Sequence, residues 1–473
     1  MLASMVKTSN SAEDRFEEYL VRLASVLGHQ DREEPLRAYL AGLCLPGERK
    51  SMEPIAARVD PRHVRARHQS LHHFISNAPW DEDAVLKVAR DVVLDQMERH
   101  GAVAAWIVDD TAFPKKGRHS VGVTRQYCGV LGKQDNCQVA VSVSLANEAV
   151  SVPAAYRLYL PEVWASDRKR CRAAGVPDEV GFQKKWQIAI EQIASFQREG
   201  VPPAPVLADA GYGATTDFRD GLTALGVPYI IAVTKETTVW APGTEALPPR
   251  PYRGRGRPPT LIRRMKGQRP LSIGLLAQGL PASSWKTITW RQGSRGNMRS
   301  RFAFLRVRPA HRDELRHSPR DLEWLVIEWP RVEKEPTKVW LSTMPADTSK
   351  DQLVRLAKIR WRIERDYQEL KQEIGLDHFE GRGWRGFHHH GALCIAAYAF
   401  LAAERARLSP PEPLSFLRAA PIPRGFRPRG SARSGGATRR QLNRHVSSPA
   451  RQSGARALTL LRMRSSAAGR ITL

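Results

Sequence analysis

Cysteine is scarce in this chain. Five are scattered over 473 residues, at Cys44, Cys128, Cys137, Cys171 and Cys394. No CxxC pair occurs and the count is odd, which argues against a disulfide framework and for a reducing compartment. Long apolar runs are missing too. The longest, Ala392 to Ala403, falls short of the ~20 residues a membrane helix needs, and it reads as a buried helix. The start lacks a basic segment followed by an apolar stretch, so no secretory leader is expected. Acids are absent in one place above all. From Pro413 to Leu473 there are thirteen Arg and no Asp or Glu. Together these absences predict a cytoplasmic protein with no membrane partner.

The chain does have ample apolar material. Hydrophobic residues make up 42%, enough for a sizeable core, and the length suggests roughly two to four domains. The formal net charge is +26, about half of it in the acid-free tail. A body and tail both this basic predict a polyanionic partner, nucleic acid before membrane, because neutralising phosphates releases counterions.

Periodicity changes along the chain. "AEDRFEEYLVRLASVLG" and the segments after it carry apolar residues at helical spacing, predicting an α-helical domain over 1–102. Its stretch "HVRARHQSLHHFI", His63 to Ile75, reads equally as a DNA-reading helix or an ordinary amphipathic one. "VAAWIVDD" from Val103, "PVLADAGYG" and "PYIIAVT" read as buried strands separated by helices. That alternation predicts an α/β core beginning at 103–234. From 235 to 347 the pattern turns β-rich, after a basic Gly- and Pro-rich start. A helix is expected next, with Thr348 or Ser349 as N-cap, followed by an apolar helix ending near Arg407, so 348–407 completes the core. The residues 408–473 lose all periodicity and read as disordered. Beyond about Gly430 their Arg, Ser, Ala and Gly composition resembles translation in a wrong reading frame of GC-rich DNA; a native basic arm is the other reading.

Two predicted strands end in acids, Asp109/Asp110 and Asp209. Ligands sit at the carboxyl ends of strands in open α/β sheets. Two such carboxylates and a third from a helix offer hard oxygen ligands for Mg²⁺. The alternative for strand-end acids is capping or loop solvation. Glu364 in "RWRIERDYQELK" has its own bland reading, a surface ion pair with Arg360 and Arg365 worth roughly 0–1 kcal/mol.

"WIVDDTAFPKKGRHSVGV", "VLADAGYG" and "RWRIERDYQELKQEIGLDHFEGRGWRGFHHHG" occur in that order. Together they resemble the three acidic motifs of bacterial insertion-sequence DDE transposases, in the branch with a β-rich insertion before the catalytic Glu. The likeness spans most of Arg15 to Arg407. It implies an RNase H-like catalytic core interrupted by a β-rich insertion, behind a helical N-terminal domain that binds element ends. It implies DNA cutting and joining with two Mg²⁺ ions, Mn²⁺ substituting, by a homodimer on paired ends and associated with the nucleoid. An acid directly before a Thr selects Asp110 over Asp109; "ADAGYG" gives Asp209. The third motif is Tyr, two residues, Arg, three residues, Glu, six residues, Lys, which selects Arg360, Glu364 and Lys371 over Glu369 and Glu373 as alternatives to Glu364. This sequence departs at the Tyr, where Ala357 stands. Asp110, Asp209 and Glu364 are thus the implied metal-binding catalytic acids, and Arg360 and Lys371 the implied DNA-terminus contacts.

Other residues have two readings each. "YRGRGRPP" with Arg255 and Arg257, extended by Arg263 and Arg264, reads as a minor-groove arm or a basic linker. Arg382 and Arg385 read as DNA-lining or as supports of the catalytic helix. His378, "FHHH" and Cys394 lack the partner cysteines that zinc usually takes, so structural roles are expected. Trp290, Trp324, Trp329 and Trp340 read as core, or as stacking partners for an unpaired base of a hairpin intermediate in the transposase reading. A second function class is a DNA-binding protein derived from a transposase but without catalysis.

Overall fold

The computed structural model describes residues 11–293 and 296–408. The tail expected to be disordered falls, from 409 onward, outside the described residues. The rest is mixed α/β, built on one open sheet.

Five longer helices precede the first strand: Ala12–Ala24, Glu33–Cys44, Met52–Val59, Val64–Ser76 and Glu82–His100. Their starts follow local chemistry. Ser11 accepts from the Asp14 N–H at 3.1 Å, and Asp81 accepts from Asp83 N–H at 2.9 Å, each satisfying an orphan donor. Phe16, Tyr19, Leu20 and Leu23 form one buried stripe on the first helix. That stripe meets the long helix Trp384–Leu408 rather than closing a separate bundle. Phe16 lies 4.9 Å from Phe400, ring to ring, and the Tyr19 hydroxyl donates to Ala396 O at 2.9 Å. One continuous buried core therefore joins the first hundred residues to the sheet.

The strands are β1 (Ala105–Pro114), β2 (Thr124–Cys128), β3 (Lys133–Ala146), β4 (Ser151–Leu158), β5 (Val206–Ala208) and β6 (Tyr229–Val233). There follow β7 (Thr238–Trp240), β8 (Leu271–Ser272), β9 (Trp285–Gly293), β10 (Gly296–Pro309), β11 (Glu323–Glu328) and β12 (Lys338–Ser342). The sheet order is β2-β3-β1-β5-β6-β12-β11-β10-β7-β8, with β4 beside β3 and β9 beside β10. β3 pairs antiparallel with β1 and β4, whereas β1, β5 and β6 run parallel. This arrangement is consistent with an RNase H-like fold. β12 pairs with β6 from Val339↔Val233 to Ser342↔Ile230, so the β-rich segment continues the sheet instead of standing beside it.

The helix expected from Ser349 forms as Lys350–Ile359, capped by the Ser349 hydroxyl on Gln352 N–H at 3.2 Å. It continues after a break at Arg360 as Trp361–Glu369, loosens to a π turn over Leu370–Ile374, and stops at Gly375, whose φ is 87°. That left-handed stop suits glycine. The following helix begins at Trp384, earlier than hydropathy suggested. His388, His389 and His390 are buried in it because backbone groups bond their rings. His388 Nε2 accepts from Leu158 N–H at 3.1 Å. His390 Nδ1 lies 2.8 Å from the Tyr39 hydroxyl.

Glu323 on β11 is buried near Arg219, Arg320 and Tyr229, and burial pushes its carboxyl up to about 7 despite those cations. A carboxyl raised above its unfolded value of 4.5 contributes stability that is complete below that value. The contribution is lost as pH rises through the folded value. Glu323→Gln is therefore expected to melt higher than wild type at pH 8, by an amount on the order of 2 kcal/mol, and to match it at pH 4. Thermal melts at the two pH values check this.

Candidate active site

β1 opens the site because its two neighbours differ in length. β3 pairs with it throughout, from Ala105↔Ala146 to Pro114↔Cys137. β5 pairs only with Trp106 and Ile107, then ends at Ala208. Asp109 and Asp110 lie just past the point where this parallel neighbour stops. They were expected at the end of a strand; instead β1 runs on to Pro114, because β3 supports it there. A notch opens on the β5 side at the level of the acids.

The chain leaves β5 through Asp209. "DAGYG", expected as a Gly-rich turn, is a single helical turn, Ala210–Gly213, capped by the Asp209 carboxylate on Tyr212 N–H at 3.1 Å. Gly213 is required there, since a Cβ would lie 1.8 Å from Ala232 O of β6. The third wall is the helix Trp361–Glu369. Asp366, buried on its inner side, accepts from Ser151 of β4 and from the Tyr398 hydroxyl at 2.9 Å. These bonds fix the helix against the sheet and turn Glu364 outward.

The result is one cleft lined by Asp109, Asp110, Asp209 and Glu364, with Lys185, Tyr367, Gln368 and Lys371. Cations already stand among the acids. Lys185 Nζ donates to Asp110 Oδ2 at 2.6 Å, and the Tyr212 hydroxyl donates to Asp110 Oδ1. Arg360 bridges two carboxylates, donating to Asp109 Oδ2 at 3.1 Å and to Glu364 Oε1 at 2.7 Å. Lys371 Nζ donates to Ala112 O at 2.9 Å. Burial pushes the Asp109 carboxyl up to about 7, against the pull of Arg360; Asp209 and Asp110 push it the same way. Burial likewise lowers the Lys371 ammonium.

Of the residues singled out from sequence, the structure brings Asp110, Asp209, Glu364 and Lys371 to this cleft, with Arg360 on its rim. Lys185 and Tyr212 were missed. The one local signal for Lys185 was a cation in the first turn of the helix Lys185–Arg198, where the helix dipole opposes it. Ala357 faces the core. A tyrosine does reach the acids, but from "DAGYG".

The remaining candidates lie elsewhere. Arg255 and Arg257 are exposed. Arg263 donates to Pro248 O at 2.9 Å. Arg264 is held by buried Asp313 and lies over Trp240 at 4.2 Å. Arg385 donates to Asn77 O at 2.8 Å, and Arg382 is exposed beside it. Trp340 is buried. Trp324 and Trp329 donate to Pro345 O at 3.0 Å and Glu333 O at 2.9 Å, and Lys358 covers Trp290 at 4.4 Å. On the helix Val64–Ser76, Leu71, Phe74 and Ile75 are buried while Arg65 and His68 are not.

An all-oxygen set of carboxylates suits a hard divalent ion. The positions of Lys185 and Arg360 show that the acids attract cationic charge. Among the described residues, however, no three His, Cys, Asp or Glu stand close enough together to hold an ion as they are. Lys185 and Arg360 instead hold Asp110, Asp109 and Glu364 in ion pairs. No described helix is long and apolar enough to cross a membrane.

Comparison with known proteins gives the family of the chain. Over 166 residues the chain is 32% identical to a probable transposase for insertion sequence element IS701 from Microchaete diplosiphon. That stretch covers 35% of this chain and 40% of the other protein. The model of the DDE superfamily endonucleases matches residues 22–297, a span that holds Asp110 and Asp209 and ends before Glu364. A match over more than half of the chain, taking in both aspartates that meet in the cleft, makes this protein a member of the DDE superfamily endonucleases.

Proposed function

We propose that the protein is an insertion-sequence transposase. It cuts DNA at an element end and joins the freed 3′-hydroxyl to target DNA. The observation that carries this reading is the meeting of Asp110 from β1, Asp209 from the residue after β5 and Glu364 from a distant helix, in one open cleft beside Lys371. Asp110 is taken over Asp109 as the ion ligand because it directly precedes Thr111, as the first acid does in the motif this sequence resembles.

Two divalent ions, Mg²⁺ or Mn²⁺, held by Asp110, Asp209 and Glu364 would supply an activated water and charge compensation at the leaving oxygen. The chain's own residues perform the rest. Lys371, with its ammonium close to a backbone carbonyl, can turn to a phosphate oxygen. Arg360 exchanges Glu364 for the DNA backbone, where its planar fork suits a phosphate. The exposed Arg255 and Arg257, with Arg263, Arg382 and Arg385, add sequence-independent contacts. Arg264 supports that surface through Asp313. In the first step water attacks an end phosphodiester, releasing a 3′-hydroxyl. In the second that hydroxyl attacks a target phosphodiester and displaces a strand. A homodimer holding paired ends is part of this reading.

The test is cleavage of element-end DNA with Mg²⁺, compared with EDTA and with Asp110→Asn and Asp209→Asn. Metal-dependent cleavage by wild type alone is the expected result. Binding without cleavage by wild type would instead identify a non-catalytic DNA-binding protein.

Lys185 gives a separate prediction. It neutralises Asp110 in the structure, so it competes with any ion there. Lys185→Ala is expected to lower the Mn²⁺ concentration needed for thermal stabilisation several-fold, while weakening binding of DNA. An unchanged ion titration would show that Lys185 does not compete for Asp110.

A further inference from the structure

Tyr212 touches both aspartates of the cleft. Its backbone N–H donates to Asp209 Oδ1 at 3.1 Å, and its hydroxyl donates to Asp110 Oδ1. The two acids leave different strands, so nothing local sets the distance between them; one residue ties them together. The link is rigid. The turn Ala210–Gly213 lies against β6, where Gly213 leaves no room for a Cβ beside Ala232 O. Arg219, which is buried, donates to Gly213 O and, at 3.3 Å, to the Thr216 hydroxyl. At Gly211 a Cβ would stand 3.2 Å from Asp209 Oδ1, so the turn wraps closely round that carboxylate. The Tyr212 ring is 7% exposed and packs on Phe218 at 5.3 Å. A phenol on a fixed turn, with its ring held, has its hydroxyl placed by the fold rather than by Asp110.

The other donor to the Asp110 carboxylate is of a different kind. Lys185 Nζ reaches Oδ2 at 2.6 Å on a flexible stem, and its side chain is 30% exposed. One carboxylate oxygen is therefore bound to a neutral, buried hydroxyl and the other to a partly exposed ammonium. A phenol donates without carrying charge. An arriving divalent cation repels the ammonium and leaves the hydroxyl in place. Lys185 exchanges, and Tyr212 stays. Carboxylates that ligate an ion are themselves held by hydrogen bonds from groups that do not touch the ion. Tyr212 supplies such a bond to Asp110 and, through its N–H, a second one to Asp209.

We infer that Tyr212 is a positioning residue for ion binding: its hydroxyl holds Asp110 Oδ1, so that Oδ2 stays available to the ion and Asp110 keeps its place relative to Asp209. Tyr212 acts through Asp110 and touches neither DNA nor the reacting atoms. This deepens the proposed function and rests on that reading. It gives "DAGYG" two tasks, since one short turn delivers an acid and sets that acid's relation to the other.

The experiment titrates the full chain with Mn²⁺, without DNA, and follows the melting temperature, each variant starting from its own value in EDTA. Tyr212→Phe keeps the ring and the backbone N–H and loses only the hydroxyl. It is expected to need roughly 10–100-fold more Mn²⁺ for half-maximal stabilisation, the scale for losing a group that orients a ligand. Lys185→Ala removes the other donor and is expected to need less, so the two variants move the midpoint in opposite directions. In cleavage, Tyr212→Phe should need correspondingly more Mg²⁺ and approach the wild-type rate at saturation, with DNA binding in EDTA unchanged. An ion midpoint equal to wild type would overturn the inference. So would a lower one, because Tyr212 would then compete for Asp110 as Lys185 does. A cleavage rate that saturating Mg²⁺ does not restore, with the ion midpoint unmoved, would place the hydroxyl at the DNA and overturn it too. Failure of wild type to respond to Mn²⁺ at all would sink both this inference and the transposase reading. The expected shift in Tyr212→Phe, with no cleavage of DNA by wild type, would sink only the latter.

Discussion

Glu364→Gln is expected to lower cleavage of element-end DNA by roughly 10³-fold or more, while binding of that DNA in EDTA stays at wild-type strength. The size follows from what the carboxylate is asked to do. Loss of one charge-stabilising group at a reacting phosphate typically costs a factor of about 10²–10³, and an ion ligand affects both attacking and leaving oxygens. The fold should not notice the change. Glu364 is mostly exposed, and its link to Arg360 is an i,i+4 surface pair, worth about 0–1 kcal/mol. Glutamine keeps the volume and removes one negative charge from the DNA face, so binding has no reason to fall. Glu369 and Glu373 supply the internal comparison. Glu369 is tied to Arg365 at 3.0 Å and to Arg405 at 2.5 Å, and those cations hold its carboxyl below the usual range. Neither lines the cleft with Asp110 and Asp209. Glu369→Gln should cleave within a few-fold of wild type. Cleavage by Glu364→Gln at the wild-type rate would remove Glu364 from the site.

The second large effect is on folding. Gly213→Ala is expected to destabilise the protein by roughly 3 kcal/mol or more, at the upper end of overpacking costs. The added Cβ would stand 1.8 Å from Ala232 O, 2.6 Å from Ile231 Cγ2 and 2.9 Å from Ala232 C. Two of these are backbone atoms of β6, which lies between β5 and β12 and cannot yield without disturbing both ladders. Relief must come from moving the turn Ala210–Gly213 away, and Asp209 caps that turn. Stability and site geometry should therefore fall together, with less soluble protein and lost cleavage in whatever folds. Gly181→Ala is the control, since its Cβ would meet nothing within 4 Å. Urea titration of both variants checks the contrast. Equal midpoints would show that the turn does not pack on β6 as described.

The acids were legible in the sequence because each sits in a strong local pattern: an apolar run before Asp109 and Asp110, another before Asp209, and a helical period around Glu364. Their coupling to particular cations was not. Lys185 lies seventy-five residues from Asp110 in sequence, and no local rule connects a helix's first turn with the middle of a strand. The same limit explains the histidines. "FHHH" looks polar, yet its rings are buried, because Leu158 N–H and the Tyr39 hydroxyl reach them only after the chain has folded.

The sequence by itself determined the order of strands and helices, the basic character that favours a polyanion, and the carboxylates available for chemistry. These depend on side-chain periodicity and charge, which are local or additive. Tertiary structure alone decided that β5 stops short and opens the notch, that Glu364 comes to line it while Asp366 of the same helix is buried, and that Lys185 and Arg360 pair with the acids. It also decided that the β-rich segment extends the sheet through β12. Each of those outcomes depends on pairing between distant segments, and only packing fixes which partners meet.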